Sequence, residues 1–432
     1  MQRDTRMHLR LFKAIGKIVL GLLITWSLPV AAQLASDAYE ESPITRAADI
    51  LSAQVRQSGH HRVRDEVALK RGMYVFDIDS DYGLYRVESL PMLTVRSHEL
   101  RTLAQAIGQY RQADSDFAEQ LRGQLTYNAD SLIDVVIAPF KMAGQLVDNI
   151  GQTAQELTEL GGESSAFSQS PTTHYIDDVS SDIISGTHKR NVAFQLDLNP
   201  YSTNPKVQEY LNTVARARSS GHFEAGVATV RVPPSRLISV DGGNVEVQVK
   251  NALKSLSPSE LNQGIGEQLK QFGVDEQTRH AFLTHPHYSP RHKTAITAYL
   301  DYLRGVSDRT ILIRAALVAR GEAGAKSFEM LARMLAYYHE TVAPLRELRL
   351  LGELLIAITD TQDVIVMMPI DHVYWNRSND NLFTELGKQL TAAGHENPEL
   401  VLGGTLSKRA SAGLQGHDFR YRENFLRAPE SN

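Results

Sequence analysis

The chain has 432 residues, enough for two or three domains with hydrophobic cores, and its 45 basic and 50 acidic residues give a formal charge of −5. Residues 1–32 hold five basic residues and one acidic residue, so the remainder has 40 against 49 and a charge of −9. This acidic balance argues against a nucleic-acid partner, which needs a dense basic face. The absence of cysteine excludes disulfide bonds, thiolate metal sites, thiol catalysis and a lipid-modified cysteine anchor.

The first 32 residues predict a signal peptide. They begin with a basic stretch that carries Arg3, Arg6, Arg10, Lys13 and Lys17. The apolar run that follows, residues 18–32, is shorter than the ~20 residues that span a bilayer. Val30 and Ala32 are small residues at the −3 and −1 positions of a signal-peptidase site, which places cleavage after Ala32. We therefore expect an exported protein, periplasmic or secreted, and an uncleaved anchor is the alternative.

Residues 33–127 predict a domain of helices and antiparallel strands. Apolar residues recur at helical spacing over residues 43–57, which predicts an amphipathic helix. The period then changes to two, and breaks at residues 71–72 and 79–83 divide the pattern into a three-stranded meander. A long helix is expected from Pro91 to about Leu121.

The next two segments separate this domain from the rest. Residues 128–160 carry an apolar stripe at helical spacing, which predicts an amphipathic helix that Pro139 kinks or divides. We interpret the stripe as the core-facing side of a helix, and the alternative is peripheral contact with a membrane or a partner. The nearby charges are mostly acidic, which is the wrong sign for an anionic lipid surface. Residues 161–182 are rich in Gly, Ser and Asp and predict a linker.

Residues 183–344 predict a helical domain. Three helix starts are marked by an acceptor side chain directly before a proline: Asn204-Pro205, Ser257-Pro258 and Ser289-Pro290. Residues 226–240 interrupt the helices with a strand or an ordered loop.

Residues 345–432 predict a small α/β domain with a polar tail. Two β-like runs predict a hairpin, and helical and β-like patterns alternate after it. The expected order is strands at 354–359 and 364–368, a helix at 382–393, a strand at 400–402, a helix after Ser407 and a strand at 419–422. Taken together, the patterns along the chain predict a helix-rich α+β fold.

Four histidines lie close together in the helical domain: His280, His285, His287 and His292. Histidine is a common metal ligand, and an exported protein can meet zinc or copper. The spacing matches no metal motif, however, and Pro286 and Pro290 predict a turn between helices. We expect the rings to cap neighbouring helices, and we expect no metal and no other cofactor.

The turn at residues 403–407 is the strongest candidate for a ligand site. Gly403, Gly404 and Thr405 lie between a predicted strand and a helix that Ser407 is expected to cap. Backbone amides at such a helix start favour an anion. The turn lacks the glycine fingerprint of dinucleotide sites and the lysine of a P-loop. We favour the interpretation as a plain connection between a strand and a helix with Ser407 as its cap, and a ligand site is the alternative.

Residues 197–205 begin like a calcium loop and then depart from it. Ser202 stands where such a loop needs glycine, and Gln208 replaces the closing glutamate. The density of Asn, Pro and Ser is better explained as a rigid turn before the helix that starts at Pro205.

Four segments occur in a familiar order: DSDYGLYRVES, LDLNPYSTNPKVQEYLNTVA, FLTHPHYSPRHKTAI and LGGTLSKRASAGL. This combination resembles a family of signal-peptide-bearing proteobacterial proteins with no assigned activity. In that family the second segment usually contains Asp-Pro-Tyr, where this chain has Asn199 in place of the aspartate. The resemblance covers most of the chain after residue 32 and implies one shared architecture, but it implies no catalytic residues.

The sequence gives no motif for a catalytic nucleophile, since Gly-x-Ser-x-Gly is missing. His339-Glu340 and Asp371-His372 could each pair a base with an acid, but the side chains of consecutive residues diverge on regular elements. We expect an exported periplasmic or envelope-associated protein that binds a protein or an envelope component without evident catalytic machinery. The alternative is a periplasmic hydrolase, metal-dependent or not, with a site assembled from residues such as His287, His339 and Asp371.

Overall fold

The computed structural model describes residues 39–113, 115–126, 132–134, 183–220, 245–352 and 354–426. The predicted signal peptide at 1–32, the linker at 161–182 and the predicted strand or loop at 226–240 lie outside these residues. Of the 128–160 segment only residues 132–134 are described, and they form a strand. Helices dominate the described residues beside two large sheets, which confirms the expectation of a helix-rich α+β fold.

The first sheet has six strands: β1 (Ile44–Arg46), β2 (His61–Val63), β3 (Glu66–Lys70), β4 (Met73–Ser80), β5 (Gly83–Glu88) and β6 (Leu132–Asp134). The strand order is β1-β3-β4-β5-β6, with β2 beside β4. The predicted meander is confirmed, because β3, β4 and β5 are antiparallel neighbours. Arg71 and Gly72 form its first turn with φ angles of 52° and 79°, which suit a tight turn between twisted strands.

The segment at 43–57 differs from the continuous helix that its spacing predicts. It contains β1 and two one-turn helices, α1 (Ala47–Ile50) and α2 (Ala53–Arg56). The backbone of Ile44 pairs with Ala68 on β3, and the Ile44 side chain is 71% exposed. Pairing with the edge of the sheet therefore outweighs the helical preference of this short segment.

The first hydrophobic core lies between this sheet and four helices: α3 (Leu90–Ala113), α4 (Ser115–Leu125), α5 (Ile183–Gln195) and α6 (Pro205–Ser219). The long helix expected after Pro91 is thus two consecutive helices. Phe76 and Leu100 are fully buried in this core. Because α5 and α6 follow the predicted linker in sequence, the core combines residues from both sides of it.

The middle of the chain adds six helices: α7 (Val245–Ser255), α8 (Pro258–Gln271), α9 (Glu276–Thr284), α10 (Pro290–Tyr302), α11 (Ile311–Ala316) and α12 (Gly321–Thr341). The three predicted helix starts are confirmed. The side chains of Asn204, Ser257 and Ser289 each accept a bond from a backbone amide of the helix, and a proline follows each of them.

The C-terminal unit is a five-stranded sheet with flanking helices. Its elements are β7 (Leu345–Leu351), β8 (Leu354–Thr359), β9 (Val364–Met368), β10 (His372–Val373), α13 (Arg377–Ala392), β11 (Glu399–Leu402), β12 (Thr405–Leu406), α14 (Lys408–Gly416) and β13 (Arg420–Arg422). The order is β13-β11-β9-β8-β7, in which β9, β11 and β13 run parallel and β10 pairs with β12 outside the sheet. The predicted hairpin and the helix, strand, helix and strand after it are confirmed, whereas β7 is an addition.

The C-terminal sheet and helices α7–α12 share the second hydrophobic core. The two cores therefore belong to two packed units, one around each large sheet. In the part of the chain that the structure describes, no helix is long and apolar enough to cross a membrane.

Candidate functional site

The carboxyl ends of β9, β11 and β13 meet at one edge of the C-terminal sheet. Ligands of open α/β sheets bind beyond the carboxyl ends of the strands, most often where the strand order reverses, and the order β9, β11, β13 has no such reversal. Asp371 and His372 follow β9, the turn at 403–407 follows β11, and Glu423 follows β13. The structure thus brings together two features that the sequence presents separately, the glycine turn and the Asp371-His372 pair. We call this region the carboxyl-edge site.

The turn at 403–407 is held tightly against the segment after β9. A Cβ atom at Gly404 would lie 1.9 Å from the backbone oxygen of Asp371, so only glycine fits. The Thr405 amide donates to the same oxygen at 3.1 Å. Ser407 caps α14, because its hydroxyl oxygen accepts from the Ala410 amide at 2.9 Å. The predicted cap is confirmed, and the turn approaches its neighbour too closely for side chains at Gly404.

Most backbone amides of this turn already have acceptors within the chain. Besides the Thr405 amide, the Leu406 amide donates to Glu423 Oε1 at 2.5 Å. The Gly403 amide, in turn, donates to the Met368 backbone oxygen at 3.0 Å. A carboxylate of the chain itself therefore lies where the sequence predicts an anion, and binding of an external ligand by Gly403, Gly404, Thr405 and Ser407 stays a prediction.

A second carboxylate reaches the site from the N-terminal segment. Glu40 Oε2 accepts hydrogen bonds from the Ser407 hydroxyl at 2.5 Å and from the Trp375 amide at 2.6 Å. The Glu40 amide donates to the Trp375 backbone oxygen at 2.6 Å. Glu40 is thus fixed by main-chain and side-chain bonds at the N-terminal, positive end of α14.

Tyr39 lies beside Glu40 on the same surface. Its hydroxyl donates to Asp380 Oδ2 at 2.8 Å, and this bond raises the pKa of Tyr39. Arg409 donates to the Tyr39 backbone oxygen at 3.1 Å, and the Arg377 guanidinium lies 5.9 Å from the Tyr39 ring centroid. We call the surface that binds these two residues the 39–40 seat, and it comprises Trp375, Arg377, Asp380, Ser407 and Arg409.

The indole of Trp375 anchors the seat in the second core. It is 6% exposed and stacks on Phe383 with ring centroids 6.1 Å apart. A Cβ atom at Gly413 would lie 2.4 Å from the indole, so α14 needs glycine at the point where the ring passes. This packing holds the Trp375 backbone in place, so that its amide and its oxygen are positioned to form hydrogen bonds with Glu40.

Asp371 and His372 have separate partners. The Asp371 carboxylate accepts from the amides of Tyr74 at 2.9 Å and Leu90 at 3.0 Å, so it caps α3 in the other unit. His372 Nδ1 lies 2.8 Å from Thr405 Oγ1, and its ring stacks on Tyr74 at 6.1 Å. Burial lowers the pKa of His372, although the charges of Glu40 and Glu423 oppose the shift. The carboxylate therefore joins the two units rather than orienting the imidazole.

The clustered histidines surround the turn between α9 and α10, as the prolines predict. His285 Nε2 lies 3.1 Å from the backbone oxygen of Leu317 at the end of α11, and His285 Nδ1 accepts from the His287 amide. His292 Nδ1 lies 3.1 Å from the Ser289 hydroxyl. Burial lowers the pKa of both His285 and His292 to about 4. Among the described residues, no group of three or more His, Asp and Glu side chains could hold a metal ion.

The residues of the hydrolase alternative likewise contact different parts of the fold. His339 Nδ1 accepts from the Leu345 amide at 2.9 Å at the end of α12. His287 lies in the turn before α10, and Asp371 bonds Tyr74 and Leu90. The described hydrogen bonds connect none of the three with another, so the structure adds no support for a shared catalytic site.

The calcium-like loop has a structural role that the sequence does not reveal. Asn199 Oδ1 accepts from the Tyr201 amide at 3.0 Å and so forms the expected turn. Ser202 donates to Glu99, and Asn204 Nδ2 donates to the same carboxylate at 3.1 Å. The polar residues of this loop therefore bind a buried carboxylate on α3.

Glu99 belongs to a buried ionic network between α3 and α12. Arg96 is 0% exposed and bonds both Glu99 and Glu322, the latter at 3.2 Å. Burial raises the pKa of Glu322, and the positive charge of Arg96 opposes that rise. The sequence gives little warning of this network, since Arg96 and Glu99 three positions apart on a helix look like an ordinary solvated pair.

Comparisons of the chain with protein-family models, with curated proteins and with solved structures give no match. The resemblance of the four sequence segments to a proteobacterial family therefore stays a prediction.

Proposed function

We propose that the protein is exported to the periplasm or envelope, where it binds an acidic ligand or partner at the 39–40 seat, which adjoins the carboxyl-edge site at Ser407. Its main support is Glu40, a carboxylate 367 positions from Ser407 in sequence that the Ser407 hydroxyl and the Trp375 amide hold in place. Bonds to an ionised acceptor are shorter and stronger than neutral ones. The donors that bind the Glu40 carboxylate can bind the carboxylate of a ligand or partner in the same way.

The charges around the seat agree with an acidic ligand. Arg377 and Arg409 in the seat and Lys408 next to it are exposed, although the whole chain has a formal charge of −5. A local excess of positive charge attracts anions from solution and raises their rate of association. Among the seat's own residues Arg377 and Arg409 outnumber Asp380, and Lys408 adds a third cation beside them.

Thermal unfolding in the presence of inorganic phosphate or succinate tests binding. Glu40→Ala removes the resident carboxylate, and Glu41→Ala is the matched control because Glu41 is an exposed neighbour of the same charge. We expect either anion to raise the melting temperature of Glu40→Ala more than that of wild type or Glu41→Ala. Adding Ser407→Ala should remove this gain. Equal shifts in all these proteins, or no shift in Glu40→Ala, would contradict the proposal.

Export is tested separately at the expected cleavage site. Replacing Ala32 with phenylalanine puts a bulky side chain at the −1 position, which signal peptidase does not accept. We expect this variant to accumulate at the inner membrane as a precursor that is 32 residues longer than the wild-type product. Normal processing would show that cleavage does not occur after Ala32.

A further inference from the structure

The 39–40 seat makes more contacts than a simple anion would need. It bonds the main chain of the bound segment at two points, the Glu40 amide and the Tyr39 backbone oxygen. It also bonds both side chains, because Asp380 accepts a hydrogen bond from the Tyr39 hydroxyl and Ser407 donates one to the Glu40 carboxylate. Main-chain bonds combined with side-chain contacts are the usual way in which proteins bind extended peptides.

We propose that the 39–40 seat is a peptide-binding site for an extended segment containing Tyr-Glu, and that the chain's own Tyr39-Glu40 is a resident competitor. This inference rests on the proposed function, since it names the ligand class of the same site. Asp380 recognises the tyrosine by accepting a hydrogen bond from its hydroxyl. The Ser407 hydroxyl and the Trp375 amide recognise the glutamate by donating hydrogen bonds to its carboxylate.

The bound segment can leave the seat without removing a fully buried residue from a core. Tyr39 and Glu40 are half-buried, Glu41 and Ser42 are exposed, and no residue from 39 to 43 is buried. Ser42 then bonds the Leu69 backbone oxygen at 3.1 Å on the first sheet. The segment is therefore a short arm from the edge of one unit to the other, and its main apolar contact is the half-buried Tyr39, which packs against the margin of the second core.

Tethering explains why a free peptide would compete poorly with the arm. A segment joined by a short connection has an effective concentration in the millimolar range at its own seat. A partner peptide therefore binds well only when the arm is displaced or weakened, for example by a partner that also contacts the surrounding basic residues. Lys408 is exposed next to the seat, and Arg409, which donates to the Tyr39 backbone oxygen, is exposed within it, so both are accessible to such a partner.

Fluorescence anisotropy with a labelled, blocked peptide of sequence DAYEESP, which copies residues 37–43, tests this inference on the full chain. We expect Tyr39→Ala/Glu40→Ala to bind the peptide at least tenfold more tightly than wild type does, while Glu41→Ala behaves as wild type. A peptide of sequence DAAQESP should not bind the double variant. Adding Arg409→Ala to the double variant should weaken binding of the DAYEESP peptide, with folding checked by circular dichroism.

The result also separates this inference from the proposed function. If the double variant is folded and responds to phosphate but binds neither peptide, the site takes small anions and the peptide inference is wrong. Equal binding of both peptides would also overturn it, because the contacts to Tyr39 and Glu40 would then have no role in recognition. If phosphate and peptide both fail on the folded variant, the proposed function fails as well.

Discussion

A single close approach decides which residue position 404 can hold. A Cβ atom there would lie 1.9 Å from the Asp371 backbone oxygen. The Thr405 amide donates a hydrogen bond to that same oxygen and so holds the two segments together. We expect Gly404→Ala to lower the free energy of unfolding by about 1–3 kcal/mol or more, as overpacking does elsewhere. Urea unfolding measures the loss.

The matched control is Gly416→Ala in the last turn of α14. A Cβ atom at Gly416 meets no atom within 4 Å, and alanine favours a helix over glycine by up to ~1 kcal/mol. This variant should be as stable as wild type or more so. Equal stabilities for the two variants would mean that the segment after β9 can move away from the turn.

The sequence indicates that Gly404 lies in a tight turn, but it does not show which neighbouring atom excludes a side chain there. A glycine pair between a strand and a capped helix indicates a tight connection. The atom that excludes a side chain belongs to Asp371, and only the packing of β10 against β12 brings the two residues together. Glu40 is harder still to assign, because nothing near it in sequence points to a partner 367 positions away.

At the level of elements, local signals predict the helix starts well. Asn204, Ser257 and Ser289 cap their helices because an acceptor followed by proline needs only neighbouring residues to act. Elements that depend on distant strands are less visible. Strand β7 carries Arg and Glu along its length, and β1 forms only because β3 offers an edge.

The ionic network between α3 and α12 predicts a large loss of folding stability when Arg96, its cation, is replaced. Arg96→Met would leave the buried Glu99 and the largely buried Glu322, whose side chain is 12% exposed, without this cation. We expect this to cost about 3–5 kcal/mol, which is typical when one partner of a buried ion pair is removed. Adding Glu322→Gln should recover part of the loss. Chemical denaturation of the single and double variants measures both effects.

An exposed pair provides the comparison. Arg64 and Asp79 lie 2.9 Å apart on the first sheet with about half of each side chain in water. Arg64→Met should change stability by no more than about 1 kcal/mol, as solvent screens such pairs. Similar costs at Arg64 and Arg96 would show that the network at Arg96 admits water.

The histidines around α10 predict a loss of stability in mild acid. Burial lowers the pKa of His285 and His292 to about 4, whereas an unfolded histidine titrates near 6.5. The unfolded state therefore binds more protons than the folded state between these values. Stability is complete above pH 6.5 and falls as the pH falls towards 4, by up to about 1.4 kcal/mol per pH unit for each histidine.

Urea unfolding at pH 7.5, 6 and 5 measures this slope. His285→Asn removes one of the two titrating rings and should make the stability less dependent on pH, whatever its effect at pH 7.5. If the slope of His285→Asn equals that of wild type, protonation of His285 does not oppose folding.

At the scale of the whole molecule, the two units meet where the sequence predicts no contact. The turn between β3 and β4 approaches the C-terminal unit, and the Gly72 backbone oxygen accepts from the amides of Asp371 and His372. The predicted boundary at 161–182 does not separate the two cores, since α5 and α6 pack with the first sheet. Composition marks where a linker is expected, but it cannot show which core the helices after it join.

Asp371 connects the two units directly, and we expect its removal to weaken their coupling. Its carboxylate accepts from the amides of Tyr74 and Leu90, at the base of β4 and the start of α3. Asp371→Asn removes the negative charge. It also replaces one accepting carboxylate oxygen with an NH2 group, which cannot accept a hydrogen bond from the backbone amides of Tyr74 and Leu90. We expect the C-terminal unit to unfold at lower urea concentration than the first unit in this variant, because each retains its own core.

Tryptophan fluorescence can follow one unit alone. The chain has two tryptophans, and in a protein that begins after Ala32 only Trp375 remains, within the C-terminal unit. In wild type, the Trp375 transition should coincide with the loss of helical circular dichroism, as cooperative unfolding requires. In Asp371→Asn the two curves should separate. Asp363→Asn, at a carboxylate that is 45% exposed and pairs with Arg420, should leave them coincident. Coincident curves in Asp371→Asn would show that the remaining contacts between the units, among them the bonds to Gly72 and the arm at Tyr39-Glu40, are enough to couple them.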